Sequence, residues 1–285
     1  MGQTMVKLKA ISGLIKPELP IVAGTCVIFG EILALGKLPS PLQAMLGFSV
    51  GLCLSGAAMI SNDYFDVEVD KINHPDRPLP AGKVTVKEVI ALTFLFSLLG
   101  LASALTFGSF AFSIATITWF LGIAYNWRIK ETGLLGNVFV SLSVAMTFIF
   151  GGLAVGRGLV GLVLTFGMLA FIFDLAEEIA GGALDIEGDH ARHVKSIAIS
   201  KGKGFALSLA GILFCLFILL TSLPWFLGWL GLTYLLMILP TDCVIAYLAL
   251  RLKNSPNVKE GQKTKRLLYL CLTVFVIAFM ASSFL

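Results

Sequence analysis

Oxygen-bearing side chains recur at helical spacing where an apolar run, residues 47–60, comes to an end. Asn62, Asp66 and Asp70 are four residues apart. On a helix they would lie along one face, one turn apart. The C-terminal end of a helix disfavours negative charge. We therefore expect positive charge beside this first acidic motif.

A second set of carboxylates lies in the segment from residue 174 to 189. Its members, spaced by 4, 7 and 4 residues, are Asp174, Glu178, Asp185 and Asp189. This spacing again predicts one helical face. The D-x-x-x-D pattern of the last two repeats the pattern of Asp66 and Asp70. A helix bundle would bring the two motifs together across a central cavity.

The residue types in these motifs predict a magnesium site. Ionised carboxylates close to a membrane interior are costly and require compensating cations. The motifs offer oxygen ligands only, because His74, His190 and His193 lie outside them. Such a set favours a hard ion. Mg²⁺ suits sparse ligands on two helices better than Ca²⁺, since it shares its coordination with water and substrate phosphates.

Basic side chains near the two motifs could hold a diphosphate from the other side. They are Lys71, Arg77, Arg128, Lys130, Arg192 and Lys195. A metal-bound diphosphate at the mouth of a lipid-facing cavity implies an anionic head and an apolar tail, as in a prenyl diphosphate. Metal and basic side chains would together stabilise the departing diphosphate.

Tyr125 and Asn126 are predicted to line this cavity. Aromatic rings near a membrane surface more often anchor a helix at the interface. Those that face the cavity would shield an allylic cation. The candidates are Tyr64, Phe65, Tyr125 and Trp127.

The rest of the chain must hold these motifs at a membrane surface. With 57% apolar and 13% charged residues, the chain has far more hydrophobic material than one soluble core requires. This composition indicates an all-α polytopic membrane protein. Apolar runs of about 17 to 25 residues predict nine transmembrane helices at roughly 14–36, 41–64, 86–107, 109–127, 134–155, 160–180, 204–222, 225–250 and 267–284. We expect a single domain, residues 1–285, in which two four-helix halves and a ninth helix surround the central cavity.

The basic residues fall on one side of this predicted topology. With a cytoplasmic N-terminus, all but Lys37 and Arg157 of the 21 basic residues lie inside, as the positive-inside rule expects. The longer loops with the acidic motifs lie there too, which predicts a cytoplasmic active site in an integral cell-membrane protein. The net charge of +4 suits anionic membrane lipids or phosphates. Nucleic acid is a poor fit, and no obligate protein partner is evident.

The motifs resemble those of the UbiA-type intramembrane prenyltransferases. Asn62, Asp66 and Asp70 match that family's N-x-x-x-D-x-x-x-D motif, and Asp185 with Asp189 matches its second D-x-x-x-D motif. The likeness covers most of the chain and includes H-P-D-R-P-L-P-A-G, Y-N-W-R-I-K, T-G-L-L-G-N and K-S-I-A-I. The resemblance implies nine helices around a cavity, two Mg²⁺ ions, and transfer of a prenyl group from its diphosphate to an acceptor.

Within that family, N-D-Y-F-D and D-I-E-G-D are most similar to the archaeal digeranylgeranylglyceryl phosphate synthases. These enzymes would join a geranylgeranyl group to geranylgeranylglyceryl phosphate, which makes the second ether bond of archaeal membrane lipids. One departure concerns Gly181 and Gly182, where many relatives carry Asp at the second position. Glu178 is then the candidate extra metal ligand.

The resemblance assigns roles to the candidate residues. The catalytic set is Asp66, Asp70, Asp185 and Asp189, which together with Asn62 and Glu178 would bind metal. The set expected to contact the diphosphate, the acceptor or its phosphate is Lys71, Arg77, Tyr125, Asn126, Lys130 and Lys195.

Two alternative functions fit the same residues. Prenyl transfer to an aromatic acceptor would serve quinone, chlorophyll or haem side-chain attachment. A secondary transporter would use intramembrane carboxylates to couple ion movement. Those carboxylates lie near the membrane midplane, whereas the ones here cluster at one face.

Overall fold

The computed structural model describes residues 3–282, and every regular element in that range is helical. The first half contains α1 (Gln3–Ile15), α2 (Glu18–Leu35), α3 (Pro41–Phe65), α4 (Val67–Asn73), α5 (Val86–Leu105) and α6 (Ser109–Trp127). After a short 3₁₀ helix, Ile129–Thr132, come α7 (Leu134–Ala154), α8 (Gly161–Leu184), α9 (Ile186–Ala191), α10 (Ile197–Lys201), α11 (Lys203–Thr221), α12 (Leu223–Phe226), α13 (Leu232–Lys253) and α14 (Val258–Ser282). The predicted all-α class is confirmed.

The long helices of the described range form a closed ring. Each packs against the next in the order α2, α3, α5, α6, α7, α8, α11, α13 and α14. Contact between α14 and α2 closes the ring. Additional contacts of α2 with α7 and α8 bring α2 towards the middle of the bundle.

Eight helices within residues 3–282 are long and apolar enough to cross a membrane. Helix α8 also has 24 residues, but it carries Asp174, Glu177 and Glu178. Much of α8 is buried among its neighbours, as expected for a helix whose carboxylates must avoid lipid. The prediction of nine transmembrane helices is therefore confirmed for eight of them and not for α8.

Three predicted helix starts are wrong. Helix α2 begins at Glu18 instead of residue 14, because Lys16 has a positive φ of 49° and separates it from α1, which was not predicted. Helix α13 begins at Leu232 instead of residue 225, since Gly228 with φ 69° follows a separate short helix. Helix α14 begins at Val258 instead of residue 267, because its first turns are polar and hydropathy detects only its apolar part.

The other bounds are closer to the prediction. Helices α3, α5, α6, α7 and α11 start and end within two residues of the predicted positions. Helix α8 continues to Leu184, four residues beyond its predicted end. The last two residues of the predicted ninth helix, 283–284, lie outside the described residues.

Glycines allow α2 and α7 to cross with their backbones in contact. A methyl group at Gly30 would collide with the carbonyl oxygen of Phe148. A methyl group at Gly151 would collide with the carbonyl oxygen of Val27. Backbone atoms cannot move aside as flexible side chains can, so these two positions require glycine. Close crossing at small residues is the usual way that membrane helices gain packing energy.

We predict that Gly30→Ala destabilises the protein by about 1 to 3 kcal/mol, the usual cost of overpacking. Gly211 on α11 is the matched control, because a Cβ there meets no heavy atom of the described residues within 4 Å. Gly211→Ala should be neutral or stabilising by up to about 1 kcal/mol, the helix-propensity gain. Thermal unfolding of both variants in detergent measures the difference. Equal unfolding midpoints would contradict the close crossing.

Candidate active site

A cavity of about 1070 Å³ lies inside the ring, between α2, α3, α6, α7, α8 and α14. One end is polar and lies where α3 and α6 end and α2 and α14 begin. Its lining includes Asn62, Asn126, Glu177, Glu178, Lys265 and Arg266. The other end is apolar and includes Val27, Val50, Ala115 and Phe150. This shape suits a ligand with a charged head and a long apolar tail.

The first acidic motif spans the junction of α3 and α4. Helix α3 ends at Phe65, and Asp66 has φ −91° and ψ 0°. The backbone bonds nevertheless continue at helical spacing, from the Asp66 amide to the Asn62 carbonyl at 2.9 Å and from the Asp70 amide to the Asp66 carbonyl at 2.8 Å. The side-chain amide of Asn62 also donates to the Asp66 carboxylate at 3.0 Å. The predicted register of the motif is therefore kept across a break in the helix.

Each aspartate of this motif is paired with a basic side chain. Lys130, from the 3₁₀ helix after α6, donates to Asp66. Arg77, from the proline-rich loop after α4, donates to Asp70 at 2.5 Å. Asp70 is only 2% exposed, so its carboxylate depends on Arg77 for charge compensation. The positive charge expected from the sequence is present and comes from two different segments.

A neighbouring carboxylate, Asp63, is completely buried and was not singled out from the sequence. Lys16, at the turn between α1 and α2, donates to it at 2.9 Å. Arg77 lies 4.0 Å from the same Asp63 oxygen. Asp63 therefore links the N-terminal segment to the loop that carries Arg77. Only the tertiary arrangement reveals this pairing, because 47 residues separate Lys16 from Asp63.

Apolar packing holds the same loop in place. Leu14 of α1 and Leu79 of the loop belong to one buried cluster with Ile60 of α3 and Val89 of α5. Near them, Gly13 lies against the ring of Pro78. Helix α1 thus packs over the loop and restricts the position of Arg77.

The second acidic motif departs from its predicted geometry. Helix α8 ends at Leu184, and Asp185, with φ −127° and ψ 40°, starts the short helix α9. The prediction of one continuous face from Asp174 to Asp189 is therefore wrong. The D-x-x-x-D pair itself keeps helical spacing, because the Asp189 amide donates to the Asp185 carbonyl at 2.8 Å.

One arginine serves both aspartates of this second motif. Arg192 lies 2.6 Å from the Asp185 carboxylate and 3.4 Å from that of Asp189. The Asp185 side chain is half-exposed, whereas Asp189 is buried. Burial raises the pKa of Asp189 above its ordinary value, against the opposing effects of Ser196 and Arg192. Of the two aspartates, Asp189 is therefore the less accessible to solvent.

The carboxylates of α8 face a lysine that was not predicted to be part of the site. Lys265 of α14 lies 3.3 Å from Glu177. A Cβ at Gly181 would stand 2.7 Å from the Lys265 ammonium, so the glycine leaves the space that this ammonium occupies. Glu178, the candidate extra ligand, lines the cavity together with Asp174 and Glu177.

The remaining predicted residues divide into two groups. Tyr125 and Asn126 line the cavity as expected, and the buried Asn126 amide ties α6 to α3 through the Ala58 carbonyl at 2.8 Å. Lys71 and Lys195 are exposed. Lys71 pairs with exposed Glu68 at 2.7 Å, and neither lysine contacts a motif carboxylate in the described structure.

The other aromatic candidates do not line the main cavity. Trp127 is 64% exposed, and the guanidinium of Arg128 lies over its ring at 5.8 Å. Tyr64 and Phe65 line a separate, smaller cavity of about 370 Å³. Tyr125 is the one predicted ring that faces the large cavity.

The donor chemistry of the motifs fits a hard divalent ion. Within residues 3–282, no three His, Cys, Asp or Glu side chains stand close enough together to hold a metal by themselves. The motif carboxylates are instead occupied by Lys130, Arg77 and Arg192. A metal here would need ligands from a substrate, as is usual for Mg²⁺ with bound phosphates.

Residues 23–283 match the UbiA prenyltransferase family, and the chain belongs to that family. It is an integral membrane enzyme that transfers prenyl groups, which rules against the secondary transporter considered from the sequence. A relative from Thermococcus kodakarensis, named digeranylgeranylglyceryl phosphate synthase, is 32% identical over 278 residues. The match covers 98% of this chain and 99% of the relative.

Two solved structures have the same fold. One, from a study of digeranylgeranylglyceryl phosphate synthase in membranes, is 28% identical with a TM-score of 0.78 and covers 97% of this chain and 98% of its own. The other is a UbiA homologue from Archaeoglobus fulgidus bound to GPP and Mg²⁺. It is 18% identical with a TM-score of 0.69 and covers 95% of this chain and 99% of its own.

We predict that Lys16→Met destabilises the protein by about 2 kcal/mol, because it leaves the buried Asp63 carboxylate without its closest partner. Lys9→Met is the matched control, since Lys9 belongs to the neighbouring α1 and is exposed. Its effect should stay within about 0.5 kcal/mol, as for most surface substitutions. Thermal unfolding in detergent compares the two. A Lys16 variant as stable as the Lys9 variant would show that the buried pair contributes nothing.

Proposed function

We propose that this enzyme transfers a geranylgeranyl group from geranylgeranyl diphosphate to geranylgeranylglyceryl phosphate. The product would carry the second ether bond of an archaeal membrane lipid. The observation that carries the proposal is the pairing of four motif aspartates with basic side chains beside the polar end of a long apolar cavity. The likeness to relatives named for this activity supports the choice of substrates.

The acidic motifs are proposed to hold Mg²⁺ together with the diphosphate. The first group of ligands would be Asn62, Asp66 and Asp70, and the second would be Asp185 and Asp189 with Glu178. A homologue of the same fold binds GPP and Mg²⁺. When bound, the metal would neutralise the diphosphate and so make it a better leaving group.

The basic side chains of the site would change partners when the diphosphate binds. Lys130, Arg77 and Arg192 now hold motif carboxylates. In the substrate complex they would turn their donors towards phosphate oxygens, which bind Arg and Lys strongly. They would then stabilise the negative charge that grows on the diphosphate as its bond to the prenyl carbon breaks.

The cavity would protect the allylic cation formed in this step. Its walls beyond the polar end are mostly apolar, so they accommodate the prenyl chain and keep out water that would capture the cation. The face of the Tyr125 ring would stabilise the positive charge. The acceptor hydroxyl oxygen would then bond to the prenyl carbon, and its proton would pass to the released diphosphate.

The polar end of the cavity is proposed to open to the cytoplasm. The basic residues concentrate in the segments between helices at that end, as the positive-inside rule expects for cytoplasmic loops. Both substrates would then reach the site from the inner leaflet, with their heads at the membrane surface and their chains in lipid.

We predict that detergent-purified enzyme with Mg²⁺ moves label from radiolabelled geranylgeranyl diphosphate to geranylgeranylglyceryl phosphate and not to 4-hydroxybenzoate. Asp66→Ala and Asp185→Ala should each lower this rate by about a hundredfold or more, the scale of losing electrostatic stabilisation of a leaving group. Extraction and chromatographic separation of the labelled products measures both effects. Label that moves only to the aromatic acid would leave prenyl transfer correct and the proposed acceptor wrong.

Glu68→Ala is the matched control for the aspartate variants. Glu68 lies two residues from Asp66, is exposed and, within residues 3–282, pairs only with exposed Lys71. Its replacement should leave the rate within about twofold, as for most surface changes. Full activity in Asp66→Ala, or an equal loss in Glu68→Ala, would contradict the assignment of the first motif.

A further inference from the structure

Helix α14 presents a row of donors to the polar end of the cavity. Gln262, Lys265, Arg266 and Tyr269 all line it and are spaced by three, one and three residues, which places them on one face of the helix. Among the cavity-lining residues of the described chain, Lys265 and Arg266 are the two cations. Arg77, Lys130 and Arg192 stand outside the lining, at the acidic motifs.

The proposed reaction brings two anionic heads to this end of the cavity. The diphosphate would engage the cations at the acidic motifs. The phosphate of the glyceryl acceptor requires separate donors, because its hydroxyl must approach the prenyl carbon while both heads stay at the membrane surface. We propose that Gln262, Lys265 and Arg266 form the subsite for the acceptor's phosphomonoester. This inference rests on the proposed function and assigns the part of the site that recognises the acceptor.

Arg266 is the donor most available to a ligand. It is exposed, and no carboxylate lies within ion-pair distance of it in the described structure. A guanidinium presents a planar fork of N–H groups that matches two phosphate oxygens at once. Gln262, one turn away, adds an amide donor on the same face.

The charges on α8, which packs against α14, restrict where this phosphate can lie. Asp174, Glu177 and Glu178 project from α8 and would repel an anion in the centre of the cavity. Lys265 is held 3.3 Å from Glu177, so its positive charge offsets part of this repulsion. The phosphate is therefore expected against α14, near Arg266 and Gln262, with Lys265 screening it from α8.

An acceptor bound there would have a place for its chain. Leu19 of α2 and Leu270 of α14 line the same cavity and are 39% and 56% exposed. Because these apolar side chains are both exposed and cavity-lining, we expect the cavity to have an opening to lipid beside the contact between α2 and α14. The chain of an acceptor whose head is held at Arg266 can extend along this opening.

The test compares two acceptors that differ only in the phosphate. Steady-state kinetics with geranylgeranylglyceryl phosphate and with geranylgeranylglycerol are measured for wild type, Arg266→Gln and Arg266→Lys. We expect Arg266→Gln to raise the KM for the phosphorylated acceptor about tenfold or more, the scale of a lost charged hydrogen bond. Its KM for geranylgeranyl diphosphate and its rate with the unphosphorylated acceptor should change less than about twofold. The KM of Arg266→Lys for the phosphorylated acceptor should lie between those of wild type and Arg266→Gln, because lysine keeps the positive charge but loses the paired N–H donors of arginine.

Lys263→Gln is the matched control. Lys263 belongs to the same helix and is exposed, but it does not line the cavity. Lys263→Gln should leave unchanged the KM for the phosphorylated acceptor, the KM for geranylgeranyl diphosphate and the rate with the unphosphorylated acceptor. The three variants should unfold at the wild-type temperature, because both positions are exposed.

Three results would overturn the subsite. An unchanged ratio of kcat/KM for the two acceptors in Arg266→Gln would show that this arginine does not bind the phosphate. A raised KM for geranylgeranyl diphosphate alone would assign Arg266 to the donor substrate. Wild-type enzyme that transfers label only to an aromatic acceptor would refute both the proposed function and the subsite, and that outcome is seen before any variant is made.

Discussion

The structure depends on charge compensation at the membrane surface. Carboxylates beside an apolar cavity are stable only when cations lie next to them, and Asp70 is almost completely buried. Its partner Arg77 comes from the loop after α4, and the Asp66 partner Lys130 comes from the 3₁₀ helix after α6. Arg192, after α9, does the same for the second motif. Segments far apart in the chain are thus drawn to one end of the ring.

This arrangement also explains how one site can receive both a metal and an anion. A carboxylate cluster alone would repel a diphosphate, and a lysine and arginine cluster alone would repel Mg²⁺. The negative charges of the motif carboxylates and the positive charges of their basic partners nearly cancel. A magnesium diphosphate can therefore bind between the two sets of side chains without leaving an uncompensated charge next to lipid. The carboxylates would go to the metal, and the basic side chains would go to the phosphate oxygens. The apolar interior behind them then meets only the prenyl chain.

The sequence predicts much of this architecture because its main signals are local. Apolar runs locate most of the helices, and the spacing of Asp66 and Asp70 predicts their shared register, which survives the break after Phe65. The break at Asp185 is different, since only the backbone angles there show that the face from Asp174 does not continue. Helix α1 and the polar start of α14 are missed because hydropathy detects only long apolar runs.

The unpredicted parts of the site are contacts between distant segments. Asp63 stands beside Asn62 in the sequence, but its role depends on Lys16 from another helix. Lys265 resembles the other basic residues of its polar segment until α14 places it against Glu177. The positive-inside pattern includes all such basic residues, but it does not show which of them point into the cavity. Tertiary packing decides that, and single-sequence periodicity carries no information about it.

The most direct test of the charge-exchange site is a calorimetric titration of Mg²⁺ into the purified enzyme, with and without a non-reacting geranylgeranyl thiolodiphosphate. The paired carboxylates predict weak binding of Mg²⁺ to the enzyme alone and binding at least about tenfold tighter with the analogue, which releases Lys130, Arg77 and Arg192 from the carboxylates. Equal affinity with and without the analogue would show that these basic side chains do not control the metal site. No binding in either case would contradict a magnesium site at the two motifs.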